Sequence, residues 1–495
     1  MQLPAGDGRK AQSDFGQYNI TMNINRIIHP GFWFGKSDIK EAIELAKAGV
    51  GGFCIYFGTR QEVLELTKTL QAHAPRKLLI SADYEYGLGR WLKDAPLLPS
   101  NISLGAAGNP DFAYKKGYIT ACQARTLGVN WVFAPVVDLA DTPQNPIVNT
   151  RSFGADPKLV SKLARAFMLG LEDGGCLNSL KHFPGHGSTQ SDSHLTLPFI
   201  NKTLAQLESR ELVPYRDLLT KADSIMVAHL KIDAMDASAP TSFSHKVITG
   251  FLRKNLHYKG LIITDALVMK ATGGLNPVDA FKAGADILLC PDNPFDLIES
   301  LKKEIEKDKA LVARAVEALS AQEMLLAKLN AINNIPCKDP WAQECLSQSA
   351  AESGIASVGN TTVFSKGDTV HYLEADIYPS TDFKATALLN KLKANGIKVL
   401  PYDGKAADNL VVSTFSNYAA FSGHINFTPE QKELVQKAVS QAEKSVLISF
   451  GSPFVNLGIS NLDRFLMAGT QTDIYQKVCA DILAGKAKAK GQMPV

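Results

Sequence analysis

Between about residue 25 and residue 330, short and continuously apolar runs alternate with longer stretches of helical periodicity. The runs are HPGFWFG (29–35), GGFCIYFG (51–58), KLLISAD (77–83), VNWVFAPVVD (129–138), CLNSLKH (176–182), SIMVAHL (224–230), GLIITDA (260–266) and ADILLCP (285–291). Runs of strand length without polar alternation predict strands buried on both faces of a parallel sheet. Between them, stretches such as DIKEAIELAKAG (38–49) and PKLVSKLARAFMLGLEDGG (157–175) repeat their apolar positions at helical spacing. Eight strand–helix units predict a (β/α)8 TIM-type barrel; a doubly wound open sheet, the competing architecture, usually has fewer strands.

Five of the runs end on a titratable residue: Asp83, Asp138, His182, His229 and Asp265. In a parallel barrel all strand C-termini share one face, so residues far apart in the chain are expected to converge there. A polar residue must end any strand, which accounts for one or two such cases but poorly for five.

A helical pattern over about 309–331 is followed by NNIPCKDPW (333–341), where two prolines break it. A second alternation then begins, with strands predicted at TTVFS (361–365), IKVLPYD (397–403), NLVVSTF (409–415) and SVLISFG (445–451), and helices at 381–395 and 428–443. This reads as a smaller α/β domain, an αβα sandwich. The expected organisation is an arm over 1–18, a catalytic barrel over 19–335, a linker over 336–345 and the sandwich over 346–495.

Composition narrows the function. The chain has 52 basic and 49 acidic residues, a net charge of +3, which gives no reason to expect nucleic acid or an anionic membrane as partner. No apolar run reaches membrane-spanning length, and MQLPAGDGRKAQSDFGQY lacks the apolar segment of an export signal. Seven cysteines without paired spacing argue against a disulfide framework. Reduced thiols in a cytoplasmic protein are expected; Cys337 and Cys345 flank the domain boundary, but pairing between them is not expected.

The candidate chemistry lies in FPGHGSTQSDSHLTLP (183–198), a long loop after the fifth strand. Loops of this length within compact domains are usually functional or disordered. Asp192 and His194 are two apart, so in extended backbone both side chains point the same way, and the carboxylate can fix the imidazole's tautomer. Such a pair suits general acid/base work. Asp265, at the end of the seventh run, can serve as a carboxylate nucleophile, and glycoside hydrolysis needs a nucleophile on one side of the anomeric carbon and a proton donor on the other.

KHFPGHG, DSH, TDAL and GADILL, with NTRSFGADP (149–157), FAPVVD (133–138) and SFGSPF (449–454), resemble glycoside hydrolase family 3 in its β-N-acetylglucosaminidase branch. The resemblance covers the barrel and reaches into the second domain. It implies a retaining exo-β-N-acetylglucosaminidase in which Asp265 is the nucleophile, His194 the acid/base and Asp192 its partner. Asp83, Arg90, Arg151, Lys181 and His182 would bind the terminal sugar, and no cofactor or metal is implied. The partner implied is a small carbohydrate, a cell-wall- or chitin-derived N-acetylglucosaminide. DYEYGLGR departs from the family pattern: Tyr86 stands at the first of two usual glycines, and Arg90 follows Asp83 by seven positions instead of eight. Ser188 stands where the family tends to have aspartate.

Three other functions use the same residues. Phosphorolysis on the same scaffold would take inorganic phosphate as acceptor, since a neutral histidine does not repel it as a carboxylate would. A metallohydrolase would use His182, His186, His194 and Asp192 as zinc ligands. A sugar-binding protein without catalysis would have no need of Asp265.

Overall fold

The computed structural model describes residues 24–334, 336–337, 343–377, 383–416 and 422–495. The N-terminal arm expected over 1–18 and part of the linker expected over 336–345 lie outside the described residues.

Each of the eight apolar runs contains a strand. They are β1 (Ile28–His29) continued after Pro30 by β2 (Gly31–Trp33), β3 (Gly52–Tyr56), β4 (Leu79–Ala82), β5 (Trp131–Val132), β6 (Ser179–Phe183), β7 (Ser224–Val227), β8 (Leu261–Thr264) and β9 (Leu288–Leu289). All pair in parallel. β2, β3, β4 and β5 form one row, and β6, β7 and β8 a second. Parallel bridges Trp131–Leu177 and Ile263–Ile287 join the rows to each other and to β9, which pairs back to β1. The pairing therefore runs all the way round and closes the barrel.

One cluster draws on each of the eight apolar runs: Trp33, Cys54, Leu79, Trp131, Leu177, Met226, Ile263, Ile287 and Leu289 meet in it. It is the packed interior expected of a barrel, and it explains the continuous apolarity of the runs, since the opposite faces lie under helices. The helices begin where the sequence supplies caps. Asp38 accepts from Lys40 N, Thr59 and Glu62 form a capping box, and Asp156 precedes Pro157.

The second sheet has the order β10-β15-β14-β13-β11-β12: β10 (Ala356–Gly359), β11 (Thr369–Glu374), β12 (Lys398–Pro401), β13 (Ala407–Thr414), β14 (Ala442–Ser449) and β15 (Arg464–Met467). Only β10 runs antiparallel. TTVFS (361–365) is not a strand. Its Phe364 is a buried plug whose N–H donates to Leu483 O, and the edge strand is β10 just before it. The helices expected at 381–395 and 428–443 are Thr386–Ala394 and Pro429–Ser440.

The sheet domain is bound into the barrel by buried contacts. Ser100 N donates to Thr470 Oγ1 (2.9 Å), Ser103 Oγ meets Tyr475 OH (2.6 Å), and Ala155 N donates to Pro494 O (2.8 Å). The expectation of wholly reduced thiols is corrected here. Cys122, on the helix Pro110–Thr126, is disulfide-bonded to Cys337 across a sequence separation of 215. A bridge this long leaves no local spacing for the sequence to show. Cys345 is a free thiol, as are buried Cys54, Cys176, Cys290 and Cys479. Among the described residues no helix is long and apolar enough to cross a membrane.

Candidate active site

The parallel barrel puts the residue after each strand on one face. Asp83 follows β4, Lys181 and His182 lie within β6, and Asp265 follows β8. The loop after β5 turns back through a short 3-10 segment, Asn149–Arg151, and delivers Arg151 to the same place.

Four charges interlock there. Lys181 Nζ lies 2.6 Å from Asp83 Oδ1 and 2.6 Å from Glu85 Oε1. Arg151 grips Glu85 with two parallel bonds, Nε to Oε2 at 2.8 Å and Nη2 to Oε1 at 2.7 Å. Lys181, Arg151 and Glu85 are buried, and the Asp83 side chain is 19% exposed. Burial would raise the Glu85 carboxyl, but the Arg151 and Lys181 charges outweigh it and hold it far below the carboxylate range. Lys181 keeps its charge for the reciprocal reason: the Asp83 and Glu85 carboxylates overcome its desolvation. Glu85 was not singled out from the sequence. Its place two residues after Asp83, in a strand exit, was the available signal.

His182 extends the cluster. Its Nδ1 is 2.6 Å from Asp138 Oδ2, and its Nε2 is 3.2 Å from Arg151 Nη2. Asp138 also accepts from His186 N at 2.7 Å. Thus the carboxylate ending the fourth predicted run orients the histidine ending the fifth. Arg90, half-buried at the end of the turn Leu88–Arg90, lies on the Asp83 loop.

Asp192 and His194 form the expected pair. Asp192 Oδ1 accepts from His194 Nδ1 and from His194 N, both at 2.8 Å. The Asp192 side chain is fully buried and that of His194 is 18% exposed. The loop carrying them is pinned rather than open. Asn145 Nδ2 donates to His186 O (2.9 Å) and Gly187 O (3.0 Å), and Ser188 Oγ donates to Glu211 Oε1 (2.6 Å), which Lys202 also contacts. Ser188 therefore joins an existing ion pair where the family tends to add a charge. Ser193 O accepts from Ala271 N (3.2 Å), which ties this loop to the one leaving β8.

Asp265 is buried, and its Oδ1 accepts from Ala266 N at 2.8 Å. Burial pushes the carboxyl up, yet it lies below its ordinary value because His182, His229, the Ala266 N–H and His194 oppose that. His229 sits behind it, bonded to Ser242 Oγ (2.6 Å) and Ala266 O (3.2 Å); burial lowers its pKa.

The zinc alternative finds no ligand set. Among the described residues no three His, Cys, Asp or Glu side chains come together to hold a metal ion. The three loop histidines face separate partners: His182 faces Asp138, His186 faces Thr189 and Ser193, and His194 faces Asp192.

The model of the glycosyl hydrolase family 3 N-terminal domain matches residues 21–321. Beta-hexosaminidase A of Pseudoalteromonas piscicida is 31% identical over 389 residues, covering 71% of this chain and 61% of that protein. The beta-hexosaminidase of Idiomarina loihiensis is 32% identical over 302 residues, covering 58% of this chain and 89% of that one. The chain thus spans less than two thirds of the first relative. A family 3 beta-N-acetylglucosaminidase from Paenibacillus sp. superposes with a TM-score of 0.82 at 26% identity, covering 96% of this chain and 98% of that one. A beta-glucoside phosphorylase superposes with a TM-score of 0.86 at 20% identity, covering 100% and 98%, a likeness of fold alone.

Proposed function

The chain belongs to glycosyl hydrolase family 3, and from that premise we propose that it is a retaining exo-β-N-acetylglucosaminidase acting on terminal N-acetylglucosamine. The observation that supports the reading is Asp265 at the end of β8, whose following loop is bonded through Ala271 N to Ser193 O of the loop carrying Asp192 and His194, on the barrel face that also carries the Asp83–Glu85–Arg151–Lys181 cradle. Carboxylate, guanidinium and ammonium groups make strong, directional bonds to sugar hydroxyls. Asp83, Arg151, Lys181 and His182 take that role, with Arg90 at the edge.

Asp265 attacks the anomeric carbon. The bond to the leaving oxygen breaks with its electron pair, and His194 gives that oxygen the proton on Nε2. Asp192 stabilises the imidazolium through Nδ1 and is not itself protonated. Water then enters beside His194, loses a proton to Nε2, and its oxygen displaces Asp265. Two inversions give net retention. Histidine replaces the usual carboxylic acid, and the buried Asp192 holds its ring through Nδ1.

Inorganic phosphate is a second acceptor. Neutral His194 sets no negative charge against an arriving anion, whereas two unit charges about 4 Å apart repel by roughly 4 kcal/mol at an effective dielectric near 20. The natural substrates we propose are cell-wall- or chitin-derived fragments. A cytoplasmic setting for this turnover rests only in part on reduced thiols. The Cys122–Cys337 bond withdraws that support, because disulfides persist chiefly in oxidising compartments.

The test is Asp265→Ala. It should remove nearly all turnover of an aryl β-N-acetylglucosaminide while circular dichroism stays unchanged. Turnover near the wild-type rate would show that another residue is the nucleophile.

A further inference from the structure

SFGSPF (449–454) belongs to the second domain and has no part in the chemistry above, yet its third-from-last residue reaches the barrel. Gly451 passes so close to Ser416 O that an added Cβ would lie 2.0 Å from it. This tight turn places Ser452 fully buried at the junction of the two domains. Its N–H donates to Ser416 Oγ at 2.8 Å, and its carbonyl accepts from Ser449 Oγ at 2.6 Å, so the residue is fixed from its own side. The hydroxyl then makes a complete set of bonds. It donates to Asn426 Oδ1 (2.5 Å) and accepts from Phe454 N (3.2 Å) and from Asn149 Nδ2 (3.0 Å). One donor and two acceptor sites are all that a hydroxyl offers.

Asn149 opens the turn that ends at Arg151, and the three residues of that turn are each held by a different buried partner. Asn149 is held by Ser452, Thr150 Oγ1 accepts from Tyr86 OH (2.7 Å), and Arg151 O accepts from Asn101 Nδ2 (2.7 Å). The second domain stands behind the other two holds as well. Tyr86 packs against Ile425, and Asn101 begins the helix Asn101–Ala107 whose cap, Ser100, bonds Thr470. Tyr86, the residue that departs from the family pattern, is thus one of the barrel side chains that reach the second domain.

We infer that Ser452 is a positioning residue for sugar binding: through Asn149 it sets the backbone from which Arg151 reaches Glu85 and the terminal sugar. The inference rests on the assignment of Arg151 to the sugar site. It gives the second domain a part in substrate affinity without giving it a catalytic group. Arg151 is assigned to holding the sugar and takes no part in the attack or the proton transfer, so loosening it weakens the hold in ground state and transition state alike, which raises KM more than it lowers kcat.

The experiment is a double-mutant cycle on the full chain with Ser452→Ala and Asn149→Gly, read with an aryl β-N-acetylglucosaminide and with free N-acetylglucosamine as competing ligand. Glycine suits position 149, where φ is +31°, so this variant keeps its fold even if Ser452→Ala does not. Each single change should raise KM about fivefold, in keeping with one buried hydrogen bond, with kcat within twofold. The inhibition constant of N-acetylglucosamine should rise equally. The double variant should be no worse than either single one. Unchanged KM in Asn149→Gly, or effects that multiply in the double variant, would overturn the inference. Asp265→Ala tests the underlying assignment separately: if that variant is inactive while Asn149→Gly binds sugar normally, the hydrolase reading stands and the positioning role falls.

Discussion

Glu85→Gln tests the charge-balanced cradle directly. In the native site two carboxylates, Asp83 and Glu85, face two cations, Lys181 and Arg151. At 2.6–2.7 Å, each contact of Glu85 is an attraction of roughly 6 kcal/mol at an effective dielectric near 20. Much of that is cancelled by the several kcal/mol needed to desolvate the carboxylate. Glutamine keeps the shape but removes the charge, and its amide N–H must face a guanidinium or an ammonium. The uncompensated positive charge should cost about 3–5 kcal/mol of stability. For 495 residues at about 2.1 cal/mol/K each, the unfolding entropy near Tm is roughly 1 kcal/mol/K, so Tm should fall about 3–5 °C. Arg151 and Lys181 should shift with it, and kcat/KM should fall on the order of a hundredfold, as small misplacements at reacting centres do. The pH dependence has a definite sign. A carboxyl held below its unfolded value contributes stability that is complete above the unfolded pKa and is lost as pH falls toward the folded one. The stability gap between wild type and Glu85→Gln should therefore stay constant from about pH 8 to pH 5 and narrow only below about pH 4. A Glu85→Gln protein with native Tm and native kcat/KM would refute the cradle.

Three further outcomes are expected. His194→Ala should cost about 10²–10⁴-fold on a sugar–sugar bond and much less on an activated nitrophenyl glycoside, because acid assistance matters most for poor leaving groups; equal losses on both would exclude the acid role. In concentrated phosphate, product analysis by phosphorus NMR should show a β-configured sugar 1-phosphate beside free sugar, and free sugar alone would remove phosphate as an acceptor. Thiol titration of the denatured, unreduced protein should count five cysteines, rising to seven after reduction; seven from the start would show that the Cys122–Cys337 bond does not form.

The sequence was most legible where burial is uniform. Continuous apolar runs located all eight barrel strands, and the strand ends located Asp83, His182 and Asp265. It was weaker in the second domain. The strand TVHYLE (369–374) is mostly half-buried and mixes His371 and Glu374 with apolar residues, so no run stands out. The edge strand β10 begins just after the helix Glu344–Gly354 and exposes three of its four residues. Within the site, the titratable residues at the strand ends and on the loop were found, Asp138 and Asp192 among them. Glu85, which acts by pairing with Lys181 and Arg151, and Asn149, which meets Ser452 from 303 positions away, were not. Such partners have no local pattern; only the closed fold brings them together.

The Cys122–Cys337 bond also changes how far the second domain can stray. Without it, the last barrel helix ends at Ile332 and the next helix starts at Glu344, twelve peptide steps on. With Cys337 held to the barrel, only seven remain. At about 3.5 Å per step this lowers the greatest reach from roughly 42 Å to roughly 25 Å. The volume open to an undocked second domain shrinks about fivefold, and its local concentration near the barrel rises in proportion, to the order of tens of millimolar. A domain confined in this way rebinds its own barrel before it meets another, so oxidation of one thiol pair favours the closed monomer over exchange of domains between chains.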